Sequence, residues 1–408
     1  MNNAAITTVL PEQQVHRDDF PVLTRLLDGN RINYLDNAAT TLKPKSVIAA
    51  IVKYYEEISA NIHRGKHFLS EQASTGFEEG RYKIAQYMGC AGNEIIFVKN
   101  CTEALNLIAI GLKLAPDDLV VGTLDAHHSN FLPWSSRCRV SLTKTDNYGQ
   151  VDLNHYEELL RLRPKVVALT HCSNVTGLYI PLEQMAAMAR QAGALVVVDA
   201  AQSAPHRRLK LNTSNIDFIA CSAHKMLGPT GIGLLCGRQE LLSKLEPMLL
   251  GGGMVDWVET DHYRTRKLPH LLEAGTPHID GVFGWAAAIR YLEKIGEEFI
   301  YQHDKRMGEL MLSEALKRDY IRTIGRGQTF DHAALISISI KGFDNMGEVA
   351  RMMSDSYGIM CRTGHMCSQP FLRSQSVGEI LRASAYLYNT PEDVIQFFQA
   401  LDDLHSVL

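Results

Sequence analysis

Short apolar runs rich in β-branched residues alternate with helical stretches over much of the chain, and this alternation most restricts the possible fold. The predicted strands are EIIFV (94–98), LVVGT (119–123), VVALT (166–170), LVVVD (195–199), DFIAC (217–221) and GIGLLC (231–236). Helical patterns at 102–113, 153–162 and 182–192 lie between them, and Gly193 marks the end of the last one. Apolar strands separated by helices predict a mainly parallel sheet with helices on both faces.

The pattern changes after about residue 280. Helical segments at 282–296 and 299–318 are followed by a predicted strand, LISISI (335–340), and by helices near 346–357 and 391–406. This order predicts a smaller α+β domain. We therefore expect an N-terminal arm that packs with the small domain (1–30), a large domain (31–285) and a small C-terminal domain (286–408).

The composition is that of a globular protein without a strongly charged surface. The chain has 408 residues, of which 46% are hydrophobic and 21% charged, and its net charge is −4. This balance does not favour nucleic acid as a partner. No apolar run reaches the ~18 residues of a membrane span, and Asp18 and Asp19 interrupt the only window for a signal peptide. We expect a cytoplasmic protein that does not enter the membrane.

The eight cysteines contain no CxxC pair, and their spacing fits neither a zinc site nor a disulfide framework. No metal site is expected. Cys221 and Cys236 lie in strand-like runs and are interpreted as buried apolar residues. Cys367 differs, because it belongs to CRTGHMCSQP (361–370), where a glycine permits a sharp turn and two basic residues favour a thiolate. A chemical role competes there with an inert thiol.

Two residues at predicted strand ends suggest cofactor chemistry. Lys225 follows DFIAC, and Asp199 ends LVVVD, 26 residues earlier. Ligands in open α/β sheets bind beyond the carboxyl ends of strands. A desolvated lysine is a nucleophile toward an aldehyde, and a buried carboxylate can pair with the pyridinium nitrogen of pyridoxal phosphate (PLP). Alone, Lys225 could be a surface residue and Asp199 a helix cap, but together they favour a PLP site.

Further polar residues follow the same strand ends, and each has a structural alternative. His127, after LVVGT, can act in catalysis by stacking on a flat ring and moving protons, or it can be a satisfied structural histidine. Thr102 can hold phosphate at a helix N-terminus or act only as a cap. Ser222 and His224 are short donors suited to phosphate. Arg382 can clamp a carboxylate through its fork or be a surface charge.

A series of motifs, in order from about residue 33 to the C-terminus, resembles the cysteine desulfurases of the class V aminotransferase superfamily, which have the fold-type I PLP architecture. The motifs are LDNAATT (35–41), ANIHRGKH (60–67), HHSN (127–130), HCSNVTG (171–177), VVVDAAQS (196–203), SAHKMLGPTGIG (222–233), EAGTP (273–277), RTGHMC (362–367) and RASAYLYNT (382–390). The short RTGHMC loop resembles the Suf-type group (group II).

The resemblance implies a role for each candidate. Lys225 would carry PLP as a Schiff base and later move protons, while Cys367 would attack the substrate sulfur and carry the persulfide. The residues implied in cofactor binding are Thr102, His127, Asn174, Asp199, Gln202, Ser222, His224 and Thr276, with Asp199 on the pyridine nitrogen, Gln202 on the ring hydroxyl and His127 stacked on the ring. Asn174, Arg362 and Arg382 would bind the substrate. Thr276 would reach the phosphate of the neighbouring subunit, which implies a homodimer.

The implied reaction converts L-cysteine to L-alanine and passes the sulfur from Cys367 to an acceptor, for which the Suf-type loop suggests a small protein. A selenocysteine lyase, a C–S lyase, a desulfinase or an epimerase of the same fold is one alternative. A sulfur-relay scaffold without turnover is another, but it would not need the Lys225–Asp199 pair, which is present. Departures from the family pattern at Cys101, Ala126, Met366 and the short GGGM segment (251–254) leave the substrate, cysteine or selenocysteine, and the partner surface open.

Overall fold

The computed structural model describes residues 15–325, 331–343 and 345–407. The strands are β1 Leu26–Leu27, β2 Asn30–Arg31, β3 Asn33–Tyr34, β4 Ile95–Val98, β5 Leu119–Thr123, β6 Arg139–Thr143, β7 Val166–Thr170, β8 Leu195–Asp199, β9 Phe218–Ser222, β10 Gly233–Gly237, β11 Val255–Val258, β12 Tyr263–Thr265, β13 Ile321–Thr323, β14 Leu335–Ile340, β15 Ile359–Met360, β16 Arg362–Gly364 and β17 Ile380–Ser384. The helices are α1 Lys45–Lys53, α2 Phe68–Met88, α3 Cys101–Gly111, α4 Leu132–Ser135, α5 Leu153–Leu160, α6 Leu182–Gln191, α7 Gln239–Leu242, α8 Ile279–Ile295, α9 Glu297–Leu316, α10 Met346–Tyr357, α11 Gln369–Ser374 and α12 Pro391–Val407.

A seven-stranded sheet forms the centre of the larger part, in the order β4-β10-β9-β8-β7-β5-β6. Only β10 runs antiparallel to its neighbours, so the predicted mainly parallel sheet is confirmed. The strand β6 was not predicted. Its first residue is exposed and its next three are half-buried, as expected of an edge strand that lacks a fully apolar run.

Both faces of this sheet are covered, as the apolar strands require. Along β8, Val196 and Val198 pack into one apolar core while Val197 packs into a second core on the opposite face. All three side chains are fully buried, and each such valine contributes about 1.5 kcal/mol or more to folding. Since β7, β8 and β9 are adjacent and parallel, the residues that follow them meet at one edge of the sheet.

The smaller part contains the antiparallel sheet β13-β14-β17-β16, packed against α9 and α10, and α12 packs against these two helices. Met307, Ile336, Leu381 and Phe397 belong to its core. The predicted α+β character is therefore confirmed. The predicted division at 285/286 falls within α8, which packs against α1 and α2, and the exact boundary stays a prediction.

The described part of the N-terminal arm lies between α8 and the C-terminal region; residues 1–14 of the predicted arm lie outside the described residues. Asp19 accepts a hydrogen bond of 2.8 Å from the Tyr291 hydroxyl. The ring of Phe20 packs 4.5 Å from that of Tyr388. Arg17 lies 3.6 Å from Asp393 of α12. Within the described chain, no helix combines the length and the hydropathy of a membrane span.

Candidate active site

A cavity of about 360 Å³ opens at the edge where β7, β8 and β9 end. It is lined by Ala38, Ala39, Asn100, Cys101, Thr102, His127, Ser129, Thr170, Cys172, Asn174, Asp199, Ala201, Gln202, Ser222, His224, Lys225, Arg362, Met366, Cys367 and Arg382. Every candidate site residue predicted from the sequence is in this cavity except Thr276. The small domain contributes both arginines and the cysteine loop.

Lys225 lies in a single 3₁₀ turn, Ala223–Lys225, directly after β9. Burial lowers the pKa of its ammonium, nearby Arg382 lowers it further, and Asp199 partly opposes both effects. The turn directs the chain out of the sheet, which places the amine in the cavity rather than at the surface. A lysine with a lowered pKa has more of the neutral amine that a nucleophile or base requires.

Asp199 is held by two donors on one carboxylate oxygen. Its Oδ1 accepts hydrogen bonds from the Ala201 amide at 2.9 Å and from the Cys101 thiol at 3.3 Å. No hydrogen bond reaches Oδ2 within the described part of the chain, so this oxygen is available to a ligand in the cavity. Burial, reinforced by Asp199, raises the pKa of Cys101 well above its usual value, so its thiol stays protonated and acts as a donor.

Another part of the cavity wall provides donors suited to an anion. Cys101 begins α3, and its amide donates to the Ser222 hydroxyl oxygen at 2.8 Å, which leaves that hydroxyl proton free to be donated. The hydroxyls of Thr102 and Ser129 are 2.7 Å apart. Burial lowers the pKa of His224 to about 4, so its ring is neutral. A helix N-terminus with such donors is typical of phosphate sites.

The ring of His127 is fixed by Ser129. The Ser129 amide donates to His127 Nδ1 at 3.1 Å, so the neutral ring carries its proton on Nε2. Burial lowers the pKa of His127, which favours this neutral form. The ring therefore presents an N–H from Nε2 and an aromatic face that can meet a planar ligand.

Two buried side-chain oxygens in the cavity wall have no partner within the described residues: Gln202 Oε1 and Asn174 Oδ1. A buried polar atom without a partner costs about 1–3 kcal/mol, so these atoms indicate a polar ligand. These two oxygens, the free oxygen of Asp199 and the donors at the start of α3 together fit PLP. Lys225 would hold its aldehyde carbon, Asp199 its ring nitrogen, and Thr102, Ser222 and His224 its phosphate.

The cysteine loop follows β16, and its backbone is anchored to the large domain. The Asn174 amide donates to the Met366 carbonyl at 2.8 Å, and the backbone amide of His128 donates to the Cys367 carbonyl at 2.9 Å. Met366 and Cys367 both adopt left-handed backbone angles, with φ of 49° and 55°. The Cys367 side chain is exposed at the cavity mouth.

Thr276 lies apart from this cavity. It is exposed and lines a second cavity of about 220 Å³ with His63, Arg64, Arg266 and His270. Within one chain it therefore does not contact the cofactor site. Contact across a subunit interface stays a prediction.

Three residues of the site were not predicted. Ser129 was quoted in HHSN without a role, and Cys101 was noted only as a departure from the family pattern. Asp36, quoted in LDNAATT, lies behind the two arginines and contacts both. The contacts of Cys101 with Asp199 and of Asp36 with the arginines connect distant segments, so no motif signals them. In the described chain, no group of three or more His, Cys, Asp or Glu is arranged to hold a metal ion.

The sheet, its polar edge and the Lys225–Asp199 pair define a pyridoxal-phosphate enzyme of fold type I. The chain belongs to the class-V aminotransferase family, whose model matches residues 33–397. It is 38% identical to a probable cysteine desulfurase of Synechocystis sp. over 94% of each chain. It is 35% identical to a cysteine desulfurase of Haloferax volcanii over 95% of each.

Solved structures that superpose on this chain include cysteine desulfurases as well. The apo cysteine desulfurase of Thermococcus onnurineus superposes with a TM-score of 0.90 at 35% identity, covering 96% of this chain and 98% of that one. The cysteine desulfurase CsdA of Escherichia coli, in an S-sulfonic acid form, superposes with a TM-score of 0.86 at 32% identity, covering 96% of this chain and 98% of that one.

Proposed function

We propose that this protein is a PLP-dependent cysteine desulfurase that converts L-cysteine to L-alanine and keeps the sulfur as a persulfide on Cys367. One observation carries the proposal: a single cavity contains a partly buried lysine, a carboxylate with a free oxygen and an exposed cysteine. The names of the relatives support the same activity. When bound, PLP supplies an electron sink for the charge that develops at the substrate Cα.

Residues of the chain carry out substrate binding, proton transfer and sulfur transfer in this proposal. Arg382 binds the substrate carboxylate, and the unpaired Oδ1 of Asn174 accepts a hydrogen bond from a donor elsewhere on the ligand. With PLP bound, the Lys225 amine would accept the Cα proton of the substrate. The Cys367 thiolate then attacks the substrate sulfur: the new S–S bond forms, the C–S bond breaks, and its electron pair stays with the substrate carbon. Protonation of that carbon and return of the Cα proton from Lys225 give alanine, so L-cysteine and one thiol yield L-alanine and one persulfide.

The decisive experiment is to incubate the purified protein with L-cysteine and to quantify alanine and protein-bound persulfide together. We expect them in equal amounts during the first turnover, with the persulfide on Cys367. Pyruvate, ammonia and free sulfide in place of alanine would indicate a C–S lyase. A changed stereocentre without sulfur loss would indicate an epimerase, and turnover restricted to selenocysteine would indicate a lyase for that substrate.

A small sulfur-accepting protein of the Suf type is the proposed partner. The loop is anchored at Met366 and Cys367, and the sulfur is carried at the exposed mouth of the cavity. An anchored nucleophile cannot travel to a distant acceptor, so the acceptor has to approach Cys367. This makes the short Suf-type loop consistent with delivery to a protein rather than to a remote site on the same chain. A cytoplasmic location stays the prediction made from the sequence.

A homodimer is also part of the proposal, and exposed apolar residues support it. The β11–β12 hairpin presents Trp257, Val258 and Tyr263 to solvent. At its base, the Gly252 carbonyl accepts a hydrogen bond of 2.7 Å from the Gly275 amide, next to Thr276. Exposed apolar residues on one ribbon are typical of an interface. A partner chain covering this ribbon would meet Thr276 at the same surface.

A further inference from the structure

Two thiols of the large domain lie close together although they are far apart in the chain. Cys90 follows α2 and Cys236 lies in β10, 146 residues later, yet their Sγ atoms are 3.3 Å apart. Both cysteines are reduced. The S–S bond of a disulfide is about 2.05 Å long, so the two sulfurs would have to approach by only about 1.2 Å to bond. A contact between such distant segments leaves no spacing signal in the sequence.

The two thiols differ in their access to solvent. Cys236 is fully buried, on a strand that pairs with Ile95 of β4 and Ile219 of β9. Cys90 is half-buried and lines a surface cavity of about 380 Å³. It follows Gly89, the residue with a φ of 63° that ends α2, and it belongs to neither a helix nor a strand. Cys90 is therefore the thiol that a small solute reaches first, and its side chain can rotate toward Cys236.

We propose that Cys90 and Cys236 form a redox-modification site, at which a peroxide converts the two thiols to a reversible disulfide. The peroxide first oxidises Cys90: the O–O bond breaks, the Cys90 sulfur takes one oxygen to become a sulfenic acid, and water leaves. The Cys236 sulfur then attacks the Cys90 sulfur. The S–S bond forms, the S–O bond breaks, and the released hydroxide takes the Cys236 proton as a second water. Two thiols are oxidised and one peroxide is reduced.

The position of Cys236 directs the oxidation toward the disulfide. The contact with Cys90, together with burial, raises the pKa of Cys236 well above its usual value, so solutes do not meet a thiolate there. Because Cys236 is held beside the Cys90 sulfur, it reaches a sulfenic acid on Cys90 without diffusion. A sulfenic acid without such a neighbour is open to further, irreversible oxidation. The pair therefore stops the oxidation of Cys90 at a stage that a thiol reductant reverses.

The site lies away from the active-site cavity. Gly233, the first residue of β10, pairs with Ser222 of the cavity wall. Cys236 lies three residues further along β10, about 10 Å toward the other edge of the sheet. A disulfide there joins the end of α2 to the central sheet across 146 residues of chain. Such a cross-link restricts the unfolded chain and stabilises the folded state, so oxidation strengthens the large domain without altering the cofactor site.

The test treats the PLP-loaded protein with hydrogen peroxide, alkylates the remaining thiols after unfolding, and maps the peptides by mass spectrometry without reduction. We expect a cross-linked pair of peptides that contains Cys90 and Cys236, is two hydrogens lighter than the separate peptides and disappears after treatment with dithiothreitol. Cys90→Ser should form no such cross-link, whereas Cys138→Ser, at another half-buried cysteine, should form it as the wild type does. Full alkylation of Cys236 in the treated wild type, or conversion of Cys90 to a sulfinic acid, would overturn the proposal.

A stability measurement on the same samples tests the consequence of the cross-link. The midpoint of urea unfolding of the wild type should rise by about 1 M on oxidation and should return after treatment with dithiothreitol. Cys90→Ser should show no rise, which separates the effect of the cross-link from oxidation of the exposed Cys367. An unchanged or lowered midpoint in wild-type protein that carries the cross-link would show that the disulfide does not stabilise the fold.

Discussion

The Lys225 amine is the proposed point of attachment for the cofactor, and its removal tests the site most directly. We expect Lys225→Ala to lose covalent attachment of PLP and to lose desulfurase activity by several orders of magnitude, since each ~1.4 kcal/mol of barrier costs tenfold. Borohydride reduction followed by peptide mapping should label Lys225 in the wild type only. The exposed Lys210 provides a control, because Lys210→Ala should be labelled as the wild type is. Full labelling of a different lysine in Lys225→Ala would contradict the assignment.

Cys367 is expected to act only in sulfur transfer. Its side chain is exposed while its backbone is held by His128, so Cys367→Ala should leave the cofactor site and the binding of L-cysteine intact. Persulfide formation should vanish and alanine release should fall by orders of magnitude, whereas selenocysteine, with its better leaving group, should retain more turnover. Persulfide can be trapped with an alkylating reagent, and alanine can be quantified in the same reaction. Cys138→Ala, at a half-buried cysteine, should behave as the wild type; near-normal alanine release by Cys367→Ala would favour the lyase or epimerase alternatives.

His171 is one of the buried side chains that make the stability of the protein depend on acid pH. Burial lowers its folded-state pKa to about 3, below the unfolded value near 6.5. The unfolded state then binds more protons below pH 6.5, so the contribution of His171 to stability is complete above that pH and is lost as the pH falls toward 3. The expected slope is about 1.4 kcal/mol per pH unit within this window. Denaturant unfolding at several pH values should show a shallower slope for His171→Gln, and identical slopes would exclude this role.

At the scale of the element, the cysteine loop depends on backbone that few residues adopt. Gly364 has a φ of 111°, and a Cβ at this position would meet no atom within 4 Å. Gly364→Ala therefore isolates the backbone cost, which we expect at about 1–3 kcal/mol. The free energy of unfolding and the alkylation rate of Cys367 should both change. Gly378 offers a matched control, because it also has open space around it but no positive φ; equal effects of the two alanine substitutions would disprove the conformational argument.

The elements were predictable from the sequence where local pattern decides them. The buried strands β7 and β8 and the helix α6 agree with the predicted ranges to within about a residue, since each has a continuous apolar or 3.6-residue pattern. The edge strand β6 lacks that pattern and was missed. Among site residues, Lys225 and Asp199 were identified because strand ends meet at one edge. The contacts of Asp36 with two arginines more than 300 residues away were not, because they depend on how the small domain docks.

At the scale of the whole molecule, the exposed hairpin should control assembly. Trp257 is 59% exposed in the single chain, and placing a charge there should disrupt the proposed interface. We expect Trp257→Asp to convert a dimer of twice the chain mass to a monomer with weakened PLP retention, measured by light scattering and cofactor release. The equally exposed Leu162, between α5 and β7, supplies the control: Leu162→Asp should remain dimeric. A wild-type protein that is monomeric and fully active would rule out the shared site.

Asn174 connects parts of the molecule that perform different steps. Its side chain holds the Met366 carbonyl and its own carbonyl holds Arg382, while it follows β7 of the large sheet. In the proposed mechanism, sulfur delivery and carboxylate binding therefore depend on the same residue and cannot be changed independently. A change that alters one of these functions also alters the other. A longer cysteine loop that reaches a more distant acceptor would have to lose the hydrogen bond from the Asn174 side-chain amide to the Met366 carbonyl.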